Sequence, residues 1–104
     1  MILEVADIRI AAGQQKAFEE AIQRGVRTVI ANARGYRSHR IEHGIESPER
    51  YLLMIVWDTL ENHTIDFRQS EAFAAWRAIV GPFFVSPPQV EHFEWLDRTA
   101  DSAL

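Results

Sequence analysis

Seven consecutive apolar residues, Tyr51, Leu52, Leu53, Met54, Ile55, Val56 and Trp57, constrain this chain more than any other feature. They follow the turn-forming stretch Glu46, Ser47, Pro48 and Glu49, and a run this short and apolar reads as a β-strand. Side chains alternate between the two faces of a strand, so a strand with one wet face alternates apolar and polar residues. This strand has no polar face to offer water. Both sides of its sheet need cover.

The rest of the chain supplies cover for one side. Residues 2–10 are rich in β-branched residues and lose their pattern at Ala11, Ala12 and Gly13, which marks a first strand. From 14 to 33, Ala17, Phe18, Ala21, Ile22, Val26, Val29, Ile30 and Ala33 form a stripe with helical spacing. Gly25 on that stripe costs the helix about 1 kcal/mol relative to alanine, which points to a close approach to the sheet. Gly35 follows the helix as a stop signal. Residues 36–45 alternate loosely as a second strand, and 51–57 form the third. Asp58 stands three residues before Glu61, the spacing of a reciprocal helix N-cap, and Leu60, His63, Thr64 and Phe67 continue on one face. A new helical start at Ser70 and Glu71 carries Phe73, Trp76, Val80 and Phe84, and Gly81, Pro82, Pro87 and Pro88 end it. Residues 89–96 alternate as a fourth strand.

The order β-α-β-β-α-β is the split βαβ pattern: a ferredoxin-like α+β sandwich with both helices on one face of a four-stranded antiparallel sheet. Residues 1–97 are expected to form this one domain and 98–104 a flexible C-terminal tail. No chain is left to cover the second face, and an exposed apolar patch larger than a few hundred Å² is rare on a monomer. A second copy of the same face is the simplest cover, so a homodimer through the sheet is expected.

Composition removes several classes of function. With no cysteine, thiolate nucleophiles, disulfides and thiolate-bound metals are excluded. The net charge of -4 and the single lysine, Lys16, argue against nucleic-acid binding. The first ten residues lack signal-peptide character and no apolar run approaches about 18 residues, so a cytoplasmic protein without a membrane segment is expected. His39 and His43 lie about 13 Å apart along a strand and cannot share an ion. His92 could approach either across the sheet, but no carboxylate cluster surrounds them in sequence. No metal site is expected.

At the level of motifs, Gly13 before the first helix, Gly35 and Tyr36 after it, the run from Tyr51 to Asp58 leading into Leu60, Glu61, Asn62 and His63, and the stretch Phe67 to Arg77 together resemble the antibiotic biosynthesis monooxygenase family. The resemblance covers nearly the whole chain and implies a dimeric α+β barrel. Its members include cofactor-free quinol and anthrone monooxygenases, haem-degrading enzymes and proteins without an established activity. The haem-degrading branch uses an Asn on strand one, a Trp in the second helix and a His further on. This chain has Ala6 or Asp7, Phe67 and Arg77 at those places, so the haem triad is not matched and no cofactor is expected.

Among the residues themselves, His63 falls on the sheet-facing side of its helix, where an imidazole near neutrality can accept a proton from a phenol or enol. It is the candidate catalytic residue. The bland reading is a core histidine with a satisfied ring. Trp57, Phe67, Phe73, Trp76, Phe83 and Phe84 can line an aromatic cavity, with Trp57, Phe67, Phe73, Trp76, Arg77 and Phe83 as candidate substrate-binding residues. Such aromatics also serve simply as core. Arg68 and Arg77 could stabilise a developing anion, although helix arginines are commonly solvated. The expected function is a cofactor-independent monooxygenase of a small electron-rich aromatic. The alternatives are a non-catalytic dimeric protein of the same fold that binds a small ligand or is stress-associated, and an isomerase or lactone-processing enzyme of the same barrel type.

Overall fold

In the computed structural model, which describes residues 1–99, the expected element order is present. Strand β1 is Ile2–Arg9, helix α1 Gln15–Thr28, β2 Tyr36–His43, β3 Arg50–Trp57, helix α2 Glu71–Val80 and β4 Gln89–Phe93. All pairings are antiparallel, in the order β2-β3-β1-β4. This is the ferredoxin-like arrangement, in which each βαβ crossover leaves room for another strand and the helices share one face. Of the tail 98–104, residues 100–104 lie outside the described residues.

Register shows which side chains share a face. Glu4, Ala6 and Ile8 of β1 stand opposite Ile55, Leu53 and Tyr51 of β3, and all six are buried. Phe18, Ile22 and Val26 of α1 and Trp76 and Val80 of α2 pack on this inner face. The outer face pairs Leu3 with Val56 and Phe93, and Val5 with Met54. Phe93 is 47% exposed there. The long apolar run therefore divides between two faces, and only the inner one carries helices.

Several boundaries differ from expectation for physical reasons. The first helix ends at Thr28 within the β-branched run Thr28, Val29 and Ile30: Val29 still donates its N–H to Gly25 O at 3.0 Å but its backbone is stretched (φ -117, ψ -66), and a one-turn 3-10 helix Ile30–Asn32 follows. Strand β2 stops at His43 rather than 45, where Gly44 N–H donates to Arg50 O at 2.8 Å to close the turn, leaving Ile45 89% exposed. Strand β4 ends at Phe93, which pairs with Leu3, because its partner β1 has almost no residues left to continue the ladder. Gly25 does approach a neighbour closely, but that neighbour is α2: a Cβ there would lie 2.9 Å from Trp76 Cζ3.

Candidate active site between helices and sheet

Three elements bring one polar cluster into the apolar layer between helices and sheet. On β1 the inward row is Ile2, Glu4, Ala6 and Ile8, so the period of two buries a carboxylate; Glu4 is 5% exposed. On β4, His92 stands opposite Glu4 in register. The third element is Asn62–Phe67, a π-helical turn rather than the expected α-helix. Its wider winding turns His63 and Phe67 inward together, while Ile65 points out. π-Turns are rare and concentrate at functional sites.

The turn is held at its start by Thr59 and Asn62, one residue later than the expected Asp58 and Glu61. Asn62 N–H donates to Thr59 Oγ1 at 3.1 Å, and Thr59 N–H donates to Asn62 Oδ1 at 3.1 Å. This is the reciprocal cap with Asn in the glutamate's place. Asp58 is withdrawn from capping by an ion pair with Arg37. Gly35 adopts φ +85, and a Cβ there would fall 2.2 Å from Asn62 Oδ1, so the glycine makes room for the cap.

The cluster is a chain of contacts. Trp57 Nε1–H donates to Glu4 Oε1 at 2.9 Å. His63 Nε2 lies 3.3 Å from the same oxygen, and His63 Nδ1 lies 2.8 Å from His92 Nε2. The His63 ring stacks on Trp57 with centroids 5.4 Å apart. Burial pushes the Glu4 carboxyl up to about 7, against the Trp57 hydrogen bond and the positive charge of Arg68. Burial, with the charges of Arg68 and His92, pushes His63 down to about 3. The His92 ring is also lowered, by burial and Arg68. At neutral pH His63 is therefore an uncharged imidazole wedged between a carboxyl with a strongly raised pKa and a second histidine.

Beside this cluster lies a cavity of about 240 Å³. Its walls are apolar from Ala6, Ile8, Leu53, Ile55 and Val90, and aromatic from Phe67, Phe73, Trp76 and Phe84; Glu4, His63, Arg68 and Arg77 supply its polar groups. Of the sequence candidates, His63, Phe67, Phe73, Trp76 and Arg77 meet at this cavity. Trp57 lies beneath His63, fully buried, and does not line it. Phe83 packs edge-on against Phe18 at 5.6 Å and is not part of the lining. The Arg77 guanidinium sits 5.9 Å from the Phe73 and Phe84 ring centroids, held over two aromatic faces.

Sequence reading missed Glu4 and the pairing of His92. The signal for Glu4 was present, a single carboxylate in the inward row of an apolar strand. His92 does not approach His39 or His43, because β4 and β2 occupy opposite edges of the sheet. Instead, Tyr36 Oη contacts His39 Nδ1 at 2.7 Å, and His43 stacks on Tyr51 at 4.4 Å. Among the described residues no group of three or more His, Asp or Glu side chains is placed to hold a metal ion, and no helix is long and apolar enough to cross a membrane.

An antiparallel four-stranded sheet with both helices on one face and a pocket between the layers defines a ferredoxin-like α+β protein. The sequence model of the antibiotic biosynthesis monooxygenase family matches residues 1–79, and the chain belongs to that family. It is 35% identical over 94 residues to the uncharacterised Bacillus subtilis (strain 168) protein YczJ, covering 90% of this chain and 98% of YczJ. A crystal structure from Bordetella bronchiseptica that carries the family's name is 38% identical, with a TM-score of 0.86 over 91% of this chain and 96% of that one. SnoaB, a cofactor-independent oxygenase from Streptomyces nogalater, shares the fold at a TM-score of 0.79 and 14% identity, over 96% of this chain and 97% of SnoaB.

Proposed function

We propose that this protein is a cofactor-independent monooxygenase of a small electron-rich aromatic, of the quinol or anthrone type, with the cluster around His63 as its proton-accepting centre. The observation that carries this reading is the cavity itself, an aromatic-walled space with a carboxyl, an imidazole and two guanidinium groups at its edge. Its volume lies just below the roughly 300 Å³ at which sites for drug-sized ligands begin, which suits a small planar ligand. Family membership and the oxygenase named among the structural relatives support the same chemistry.

An anthrone would exchange the two hydrogens of its methylene carbon for one oxygen atom. A base takes one proton from the methylene carbon, leaving the electron pair on the substrate. The resulting anion transfers an electron to dioxygen, the two radicals combine to a peroxide anion, the proton removed in the first step returns to it to give a hydroperoxide, and loss of water leaves a carbonyl. One oxygen atom is incorporated and one leaves as water. The protein's tasks are to orient the ring, exclude water and stabilise the anion beside Arg68 and Arg77.

The same reading includes a homodimer through the outer sheet face, where Leu3, Val5, Leu52 and Met54 stand half-buried around Val56. The test is oxygen uptake with anthrones and naphthoquinols in the absence of added flavin or metal. Turnover by the unmodified protein, with a His63→Ala variant that binds but does not turn over, is the expected result. Ligand-induced stabilisation without oxygen consumption would instead favour a binding protein.

A further inference from the structure

We propose that Glu4, through its Oε2 atom, is the group that takes the proton from the substrate, with His63 as a positioning residue and His92 as the outlet to solvent. The identity of the substrate rests on the oxygenase reading; the assignment of the base does not.

Three observations carry it. First, both ring nitrogens of His63 are already in contact, Nε2 with Glu4 Oε1 at 3.3 Å and Nδ1 with His92 Nε2 at 2.8 Å, so neither is free to meet a substrate. Second, the contacts of Glu4 with Trp57 and His63 all fall on Oε1. Its Oε2 has no partner among the described residues, yet among those same residues no fully occluded side-chain polar atom lacks one. Oε2 must therefore reach open space, and the space that Glu4 lines is the cavity. Third, one side of the carboxyl is tethered by groups from β3 and the π-helical turn, which fixes the direction in which the other oxygen points.

The charged and titratable groups around Glu4 are His63 from the π-helical turn, His92 from β4 and Arg68 after the turn, with Arg77 of α2 across the cavity. A base works best when its pKa lies near the working pH, a condition met by Glu4 at about 7 and not by His63 at about 3.

In the step, the substrate C–H bond breaks, its electron pair stays on carbon as an enolate, and the proton bonds to Oε2. Once protonated, the neutral carboxyl is held less tightly by Trp57 than the ionised one, and a half-turn presents the proton to Nε2 of His63 in its Nδ1–H tautomer. His63 releases its Nδ1 proton to His92 Nε2, and partly exposed His92 sheds one to water. These transfers leave both rings in their other tautomers, and the proton that later returns by the same path, to the carbanion or to the peroxide anion, restores them.

The test follows deuterium entry from D2O into the anthrone methylene by NMR without oxygen, which isolates proton removal from the oxygen step. The unmodified protein should accelerate exchange, with a rate that rises through an apparent pKa near 7. Glu4→Gln should bind the anthrone, read by tryptophan quenching, and exchange at least about 100-fold more slowly. Glu4→Ala should regain exchange on addition of formate, which a merely structural role would not show. Exchange by Glu4→Gln within about threefold of the unmodified rate overturns the assignment. Exchange without oxygen uptake in the unmodified protein keeps Glu4 and overturns the oxygenase. Oxygen uptake in that protein, matched by Glu4→Gln in both assays, does the reverse.

Discussion

Replacing Glu4 with glutamine should stabilise the protein at alkaline pH and leave it nearly unchanged in acid. Burial raises the Glu4 pKa from 4.5 to about 7. Between those values the folded protein holds a proton that the unfolded chain has released. The carboxyl therefore makes stability fall as pH rises through this window, and its cost is complete above about pH 7. A rise of this size corresponds to about 3 kcal/mol. Glutamine keeps an oxygen to accept the Trp57 hydrogen bond and never ionises. The variant should therefore match the parent near pH 4 and exceed it by about 3 kcal/mol near pH 8. For a domain of this length that is a gain on the order of 10–20 °C in Tm. His63 acts in the opposite sense: with a pKa lowered from 6.5 to about 3, it removes stability as pH falls through that range. It is present in both proteins and largely cancels in their difference. Thermal melts of both at equal protein concentration from pH 4 to 9 provide the assay. A difference that stays flat with pH, or a less stable variant at pH 8, would refute the reasoning.

Other changes probe the supports of the site. Gly35→Ala combines a positive φ with a clash against Asn62 and should cost about 2–4 kcal/mol by denaturant titration. Because Asn62 caps the π-helical turn, His63 and Phe67 should lose order in the same variant. Trp57→Phe removes the donor to Glu4 Oε1 and should cost about 1.5–3 kcal/mol where Glu4 is ionised, and less at pH 5. Gly25→Ala places a methyl against the Trp76 ring, and its clash of about 1–3 kcal/mol outweighs the helix-propensity gain of about 1. Weaker ligand binding should accompany it, since Trp76 lines the cavity. Met54→Glu puts a charge at the centre of the outer face and should yield monomers in sedimentation velocity; an unchanged dimer would place the interface elsewhere.

What the sequence made legible was whatever depends on periodicity. The two-faced strand from Tyr51 to Trp57, the stripe through Phe18, Ile22 and Val26, and the cap at Ser70 all yield to spacing rules, and the split βαβ order follows from them. The inward position of His63 and Phe67 was legible for the same reason, although a stripe cannot tell a π-turn from an α-turn. What stayed hidden depends on contacts between distant segments. Glu4 and His92 lie far apart in sequence and become neighbours only through β1–β4 pairing. Trp57 and Phe83 are aromatic like the cavity residues, but one lies under His63 and the other against Phe18, a difference no local pattern encodes.

Oxygen-isotope labelling tests the oxygenase reading most directly. The protein, treated with a chelator and freed of flavin, is mixed with an anthrone under 18O2, and the new carbonyl is examined by mass spectrometry. One labelled oxygen per product, one O2 consumed per carbonyl formed, and loss of this turnover in both Glu4→Gln and His63→Ala are predicted. Product without label, or no oxygen uptake by an unmodified protein that binds the anthrone, would contradict it.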